Sequence, residues 1–133
     1  MNRVVVDTSA WVEFFRPQGN VGLKEAIKSL IYGGHVLLPG LIKAEILRGT
    51  KSTEEYGMLD DLLRGLQYLP VAEDFWERLS LFSFDLFRKG VTVPLTDTYI
   101  ALVAIENGAS LLHRDRHFDS IAQETRLEIF KVD

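Results

Sequence analysis

Residues 3–9 read Arg-Val-Val-Val-Asp-Thr-Ser, a short β-branched run that ends at an acid. The run is too short for a helix, but it suits a strand buried on both faces, as in parallel sheets. Large apolar side chains follow at Trp11, Phe14 and Phe15, and Pro17 then disfavours further helix. We therefore expect a buried strand, an acid at its carboxyl end and a short apolar helix.

The same alternation of strand and helix patterns continues along the chain, and glycines separate the segments. It predicts an α/β fold with a mostly parallel central sheet covered by helices on both faces, and ligands outside the carboxyl ends of the strands. We expect strands at 3–6, 35–38, 67–69, 110–113 and 127–130, and helices at 11–15, 23–31, 41–48, 52–63, 75–86, 96–107 and around 121.

Length and composition limit the class of protein. A chain of 133 residues with 47% hydrophobic residues suits one compact domain over residues 1–133. The count of 0 Cys excludes thiolate zinc clusters, thiol nucleophiles and a disulfide scaffold, and it predicts a reducing, cytoplasmic location. No apolar run reaches the roughly 18 to 20 residues of a bilayer span, so we expect no membrane association.

The charge balance argues against a domain that attracts nucleic acid by bulk charge. Lys and Arg total 15 against 19 Asp and Glu, for a net charge of -4. A polyanion would therefore have to bind through a local basic patch, or through divalent cations held by carboxylates.

Four acids stand in apolar company, and each has a purely structural alternative. Asp7 and Asp115 each follow a predicted strand and could simply cap a helix or close an Asx turn. Glu45 lies at the border of a buried helix face, where it could pair with Arg48. Asp97 opens the most apolar helix, where the helix dipole favours an acid.

Bringing these acids together requires compensation. Two carboxylates ~4 Å apart repel by about 4 kcal/mol at an effective dielectric of 20. A hard divalent cation offsets this repulsion, and oxygen ligands favour Mg²⁺ or Mn²⁺. Such a site would hydrolyse phosphodiesters by in-line displacement with a metal-activated water.

Four motifs in order resemble a PIN domain over almost the whole chain. The chain also resembles the VapC toxins of toxin-antitoxin pairs, through the Trp11-Val12-Glu13 continuation of the first motif. The motifs are Val-Val-Val-Asp7-Thr8-Ser9, the Pro39 to Glu45 segment, Thr96-Asp97 followed by Ile100-Ala101, and Leu111-Leu112 followed by Asp115 and Phe118.

The resemblance implies a three-layer α/β/α fold and a metal-dependent endoribonuclease that inhibits translation by cutting transfer or ribosomal RNA. It assigns the catalytic and metal-binding roles to Asp7, Glu45, Asp97 and Asp115. Supporting roles around these acids fall to Thr8, Ser9, Thr96 and Asp119. Thr8 or Ser9 would position water or a carboxylate, and Asp119 could help to hold a second metal.

The resemblance also implies partners. These are a second copy of the chain in a homodimer and a cognate VapB-type antitoxin that occupies a hydrophobic groove and reaches the active site. DNA would be met only through the antitoxin. Trp11, Phe14 and Phe15 could cover that groove or a dimer seam, or could belong to the core.

Other residues keep two interpretations. His113 stands where many members carry Ser or Thr, and it is either a ligand or proton donor or a histidine satisfied at a strand end. Arg48, Arg114 and Arg116, with Lys43 and Lys51 nearby, could form a basic rim for RNA phosphates or be solvated surface charges.

Two other functions compete with the nuclease. A haloacid-dehalogenase-like phosphatase would use Asp7 as its nucleophile, but it requires a second Asp where the chain has Ser9. A non-catalytic module would bind a partner through the Trp11 to Phe15 helix.

Overall fold

The computed structural model describes residues 2–132, which form seven helices and a four-stranded sheet in alternating order. Strands and helices follow the predicted alternation, and most bounds agree within a few residues. The elements are β1 (Val4–Val6), α1 (Thr8–Phe15), α2 (Val21–Tyr32), β2 (Val36–Pro39), α3 (Gly40–Arg48), α4 (Thr53–Arg64), β3 (Gln67–Leu69), α5 (Phe75–Arg88), α6 (Leu95–Glu106), β4 (Ser110–Leu112) and α7 (His117–Glu124).

The four strands form a parallel sheet in the order β3-β2-β1-β4. Val5 of β1 lies opposite Leu37 on one side and Leu111 on the other. All three residues of β1 are buried, as the β-branched run at the start of the chain predicts. Because β1 lies between β2 and β4, the loops that leave these three strands are neighbours at one edge of the sheet.

The helices flank the sheet and enclose one hydrophobic core. Helix α1 packs against α2 and α3, whereas α6 packs against α5, α7 and β4. Helix α6 is buried nearly all round, from Ile100 to Ala104, as its uniformly apolar sequence predicts. This arrangement confirms the predicted α/β/α fold. Among residues 2–132, no helix combines the length and the apolar character that crossing a bilayer requires.

One detail of the prediction was wrong, and one of the open alternatives is decided for Trp11. Residues 127–130 do not form a strand, because only Ile129 bridges to Leu111 and β4 is too short to extend the pairing. Trp11 is fully buried in the core, and Phe14 and Phe15 are half-buried against its indole ring. Trp11 is therefore a core residue of α1. Its buried side chain offers no surface to a partner.

Candidate active site

The loops at the carboxyl ends of the parallel strands carry the acidic residues. Asp7 follows β1 directly, α3 with Glu45 follows β2 directly, and Asp115 lies three residues beyond β4. Asp97 lies in the first turn of α6. In a parallel sheet, this edge is where ligands bind.

Asp7 is buried, with 7% of its surface exposed, and it is held in place by Ser9. Its Oδ2 accepts hydrogen bonds from the Ser9 backbone N–H at 3.0 Å and from Ser9 Oγ at 2.6 Å. Ser9 Oγ in turn accepts a hydrogen bond from the backbone N–H of Arg114 at 3.0 Å. Asp7 is therefore the N-cap of α1, and Ser9 also ties the end of β1 to the loop after β4.

Asp97, Asp115 and His117 form a compact cluster. His117 Nδ1 lies 2.9 Å from Asp97 Oδ2 and 3.4 Å from Asp115 Oδ1. One ligand atom from each of the three side chains lies within 4.8 Å of the other two. Asp115 Oδ1 also accepts the backbone N–H of His117 at 3.0 Å, which closes the turn into α7.

Burial and neighbouring negative charges at the cluster favour a bound cation. Burial raises the pKa of Asp97 above its ordinary value, and the negative charges of Asp115 and Asp7 raise it further. The hydrogen bond from His117 lowers the pKa but does not cancel these effects. The influence of Asp7 places its carboxylate within electrostatic reach of the cluster, and a cation there would relieve the repulsion.

Glu45 is joined to this edge through Thr8. The Thr8 hydroxyl donates a hydrogen bond of 2.7 Å to Glu45 Oε1, across the space between α1 and α3. The alternative pairing of Glu45 with Arg48 is absent from the ion pairs formed within residues 2–132. The hydrogen bond from Thr8 therefore replaces the expected pairing of Glu45 with Arg48. It holds the Glu45 carboxylate against Thr8, the residue that follows Asp7 in the chain.

The assembled groups can do a limited set of chemistry. Two carboxylates and an imidazole at close range are suited to holding a divalent cation, and the nearby carboxylates of Asp7 and Glu45 can accept protons or orient water. The chain has no Cys for a thiol nucleophile.

Comparison with known proteins decides the family. The model of the PIN domain matches residues 4–124, which is most of the chain. The chain belongs to the PIN-domain family. It is also 36% identical over 129 residues to Ribonuclease VapC11 of Mycobacterium tuberculosis, covering 94% of this chain and 96% of that protein. At this level of identity, the chain is a PIN domain of the VapC type.

Solved structures agree on the fold. VapBC2 from Rickettsia felis, bound to a DNA fragment from its promoter, matches with a TM-score of 0.79 and 19% identity over 98% of both chains. VapBC-5 from Mycobacterium tuberculosis matches with a TM-score of 0.70 and 20% identity over 99% of this chain and 100% of that one. The PIN fold also removes the haloacid-dehalogenase-like alternative, which is a different family.

His113 in this PIN domain is a hydrogen-bonded histidine at the end of a strand. Its Nδ1 accepts the backbone N–H of Asp115 at 3.0 Å, so Nε2 carries the proton and donates to Asp119 Oδ1 at 3.2 Å. The ring also packs against Phe118, with centroids 5.2 Å apart. His113 and Asp119 therefore brace the loop that carries Asp115, and neither joins the ligand cluster found among residues 2–132.

The basic residues predicted to form a rim differ in their surroundings. Lys43 lies 3.5 Å from Asp60, so part of its charge is used within the fold. Arg48, Lys51, Arg114 and Arg116 are exposed and make no ion pair with other residues of the described range 2–132. These four cations are available to a polyanion, and Arg114 and Arg116 flank Asp115.

Sequence reasoning missed His117, which provides the third side chain of the cluster. Its position two residues after Asp115 was a usable signal. Imidazole is a common metal ligand, and a side chain two residues along a turn can lie beside the Asp115 carboxylate.

Thr96, another residue predicted for the site, is exposed. It lines a depression with Leu95 and Tyr99 and directly precedes Asp97 in the chain.

Proposed function

We propose that this PIN domain is a metal-dependent endoribonuclease, the toxin of a toxin-antitoxin pair. The observation that carries the proposal is the cluster of Asp97, Asp115 and His117 within electrostatic reach of Asp7, at the carboxyl edge of the sheet. The 36% identity to Ribonuclease VapC11 supports RNA as the substrate and hydrolysis of phosphodiester bonds as the reaction.

The donor set fits Mg²⁺ or Mn²⁺. Asp97 and Asp115 would hold the ion. Asp7 and Glu45 would complete the acidic edge, which is the set of four carboxylates near the carboxyl ends of the strands. Carboxylate oxygens are the ligands that these ions prefer. Burial, and after it the negative charges of Asp115 and Asp7, raise the pKa of Asp97, and a cation would offset the repulsion between these carboxylates. When bound, such a cation supplies charge that activates a water nucleophile and stabilises the leaving oxygen.

The remaining residues position these acids. Ser9 occupies Asp7 Oδ2 with two hydrogen bonds and leaves Asp7 Oδ1 free of that constraint. Thr8 orients Glu45 through its Oε1. His117 orients Asp97 through Oδ2, while His113 and Asp119 brace the backbone of Asp115. Thr96 is exposed and directly precedes Asp97 in the chain.

The partners follow from the relatives. Several solved relatives are toxin-antitoxin complexes, and one is bound to promoter DNA, which supports a VapB-type antitoxin as the partner of this chain and DNA contact only through it. A homodimer, a single domain over residues 1–133 and a cytoplasmic location complete the proposal. Arg48, Arg114 and Arg116 would contact RNA phosphates, and inhibited translation would be the consequence of cutting transfer or ribosomal RNA.

Incubation of the purified protein with total RNA tests the proposal. Cleavage is expected with Mg²⁺ or Mn²⁺, and it should disappear with EDTA and in the Asp7→Asn and Asp97→Asn variants. Asp85→Asn, which removes an exposed acid from α5, is the matched control and should cut normally. Equal cleavage by all samples, or none with either metal, would overturn the nuclease and favour the non-catalytic partner-binding module.

A further inference from the structure

The candidate metal site contains one nitrogen donor, and the four acids predicted as ligands do not include it. His117 begins α7, and its Nδ1 lies 2.9 Å from Asp97 Oδ2 and 3.4 Å from Asp115 Oδ1. The same nitrogen therefore faces two carboxylates that come from different parts of the fold. Orienting Asp97 in the metal-free protein requires only the first of these contacts.

Core packing does not account for the place of the His117 ring. The side chain is 43% exposed, whereas the next residue, Phe118, is fully buried in the first turn of α7. The backbone N–H of His117 donates to Asp115 Oδ1 at 3.0 Å, so the turn itself brings the imidazole to the Asp115 carboxylate. The ring is therefore held by the turn and by the carboxylates, and its removal should leave the core intact.

The spacing of these atoms suits neighbouring ligands of one metal ion. Two ligand atoms that each lie about 2.1 Å from an octahedral ion, at right angles to one another, are about 3.0 Å apart. The distances of 2.9 Å and 3.4 Å from His117 Nδ1 lie on either side of that value. One ligand atom from each of the three side chains lies within 4.8 Å of the other two, so one ion can contact all three after small side-chain rotations.

A nitrogen ligand changes which ion the site prefers. Carboxylates and water suit Mg²⁺ and Mn²⁺ alike, whereas imidazole suits first-row transition-metal ions better than Mg²⁺. The chain has 0 Cys and 3 His, and among residues 2–132 only His117 adds a nitrogen to the ligand cluster. A site with two carboxylates and one imidazole therefore favours Mn²⁺ over Mg²⁺.

We propose that His117 Nδ1 is a direct ligand of the cation, beside Asp97 and Asp115, and makes the site selective for Mn²⁺ over Mg²⁺. When the ion is bound, Nδ1 exchanges its contact with Asp97 Oδ2 for a bond to the ion. The neutral ring then carries its hydrogen on Nε2, which the partly exposed side chain leaves open to water. The inference rests on the metal site of the proposed function, to which it adds one ligand and the preferred ion.

Pulsed electron paramagnetic resonance of the protein with substoichiometric Mn²⁺ tests the ligand directly. A nitrogen bound to Mn²⁺ modulates the electron spin echo, whereas bound oxygen does not. The wild type, prepared without a histidine tag, should show this nitrogen modulation, and His117→Asn should lose it. His35→Gln is the matched control and should keep the modulation, because His35 directly precedes β2 and so lies at the amino edge of the sheet, opposite the cluster.

Competition between the two ions tests the selectivity. The resonance signal of free Mn²⁺ measures Mn²⁺ affinity, and the release of bound Mn²⁺ by added Mg²⁺ measures Mg²⁺ affinity. His117→Asn keeps an amide that can donate to Asp97 but removes the imidazole, so the preference for Mn²⁺ over Mg²⁺ should fall about tenfold or more. A residue that only orients Asp97 would lower both affinities by the same factor. His35→Gln should match the wild type for both ions.

The outcomes separate this inference from the proposed function. If the wild type binds Mn²⁺ without nitrogen modulation, or if His117→Asn weakens the binding of both ions by the same factor, the inference is overturned even where RNA is cut. If the modulation is present but no RNA is cut with either metal, the proposed ribonuclease fails in its own assay and His117 remains a ligand. The wild-type spectrum decides the ligand by itself, so the result does not depend on the folding of the variant.

Discussion

The acidic residues of this PIN domain carry structural and chemical roles at once. Asp7 caps α1 through the Ser9 N–H, and Asp115 closes the turn into α7 by accepting the His117 N–H. Each of these hydrogen bonds uses one carboxylate oxygen, Oδ2 of Asp7 and Oδ1 of Asp115, and leaves the other oxygen free of the backbone. The structural interpretation and the ligand interpretation are therefore compatible, because each carboxylate keeps an oxygen that the backbone does not use.

Thr8 provides a test of positioning at the scale of one residue. Thr8→Val has nearly the same shape but lacks the hydroxyl that holds Glu45 at 2.7 Å, so RNA cleavage should fall roughly 10- to 100-fold. Thr8→Ser keeps the hydroxyl and should retain most of the activity. Single-turnover cleavage rates measure the difference, and equal rates for the two variants would show that Thr8 does not orient Glu45.

At the scale of elements, the sequence predicted the order and type of the helices and strands well. It did not predict the contacts that individual side chains make. The buried run before Asp7 and the all-apolar pattern of α6 identified their elements because periodicity reports burial directly. Residues 127–130 have similar strand character, yet their pairing depends on how far β4 extends, which is a tertiary property. The role of His117 was missed because its contact with Asp97 depends on how the turn into α7 folds.

Gly40, where α3 meets β3, gives a prediction about the packing of Tyr68. Gly40→Ala places a Cβ 2.7 Å from Tyr68 Oη, and the exposed ring can move aside, so the free energy of unfolding should change by no more than about 1 kcal/mol. Gly57→Ala, which meets no atom within 4 Å on α4, is the control. Urea unfolding of both variants measures the change in the free energy of unfolding, and a loss in Gly40→Ala well above about 1 kcal/mol would show that the Tyr68 ring cannot move aside.

The contact between α3 and α4 should depend on pH. The hydrogen bond from Arg64 lowers the pKa of Asp60 below 3.8, and the charge of Lys43 lowers it further. The charged form of Asp60 therefore stabilises the fold above that pH, and this stability is lost as pH falls through the lowered pKa. Asp60→Asn should be less stable than the wild type at about pH 6, with a difference that shrinks towards about pH 2. Urea unfolding at both pH values measures the difference in the free energy of unfolding, with Asp85→Asn as control. A difference that grows in acid would contradict a stabilising charge on Asp60.

For the molecule as a whole, the charges of the acidic edge that would bind the cation also lower the stability of the metal-free fold. Burial raises the pKa of Asp97 in the folded state, and repulsion from the charges of Asp115 and Asp7 raises it further. In the unfolded chain these charges are separated by long stretches of sequence, so their repulsion opposes folding unless a cation is bound. The same groups should thus lower the stability of the metal-free protein and raise its response to metal.

Asp97→Asn separates these two effects. The substitution removes one negative charge and keeps an oxygen for His117, so in EDTA the variant should melt at a higher temperature than the wild type. Added Mn²⁺ should stabilise the wild type by about 2.7 kcal/mol at one hundred times its dissociation constant, and the variant by much less. The order of the two melting temperatures should therefore invert between EDTA and saturating Mn²⁺. Asp85→Asn should follow the wild type in both conditions. Melting curves that rank the proteins in the same order with and without Mn²⁺ would show that Asp97 does not take part in holding the cation.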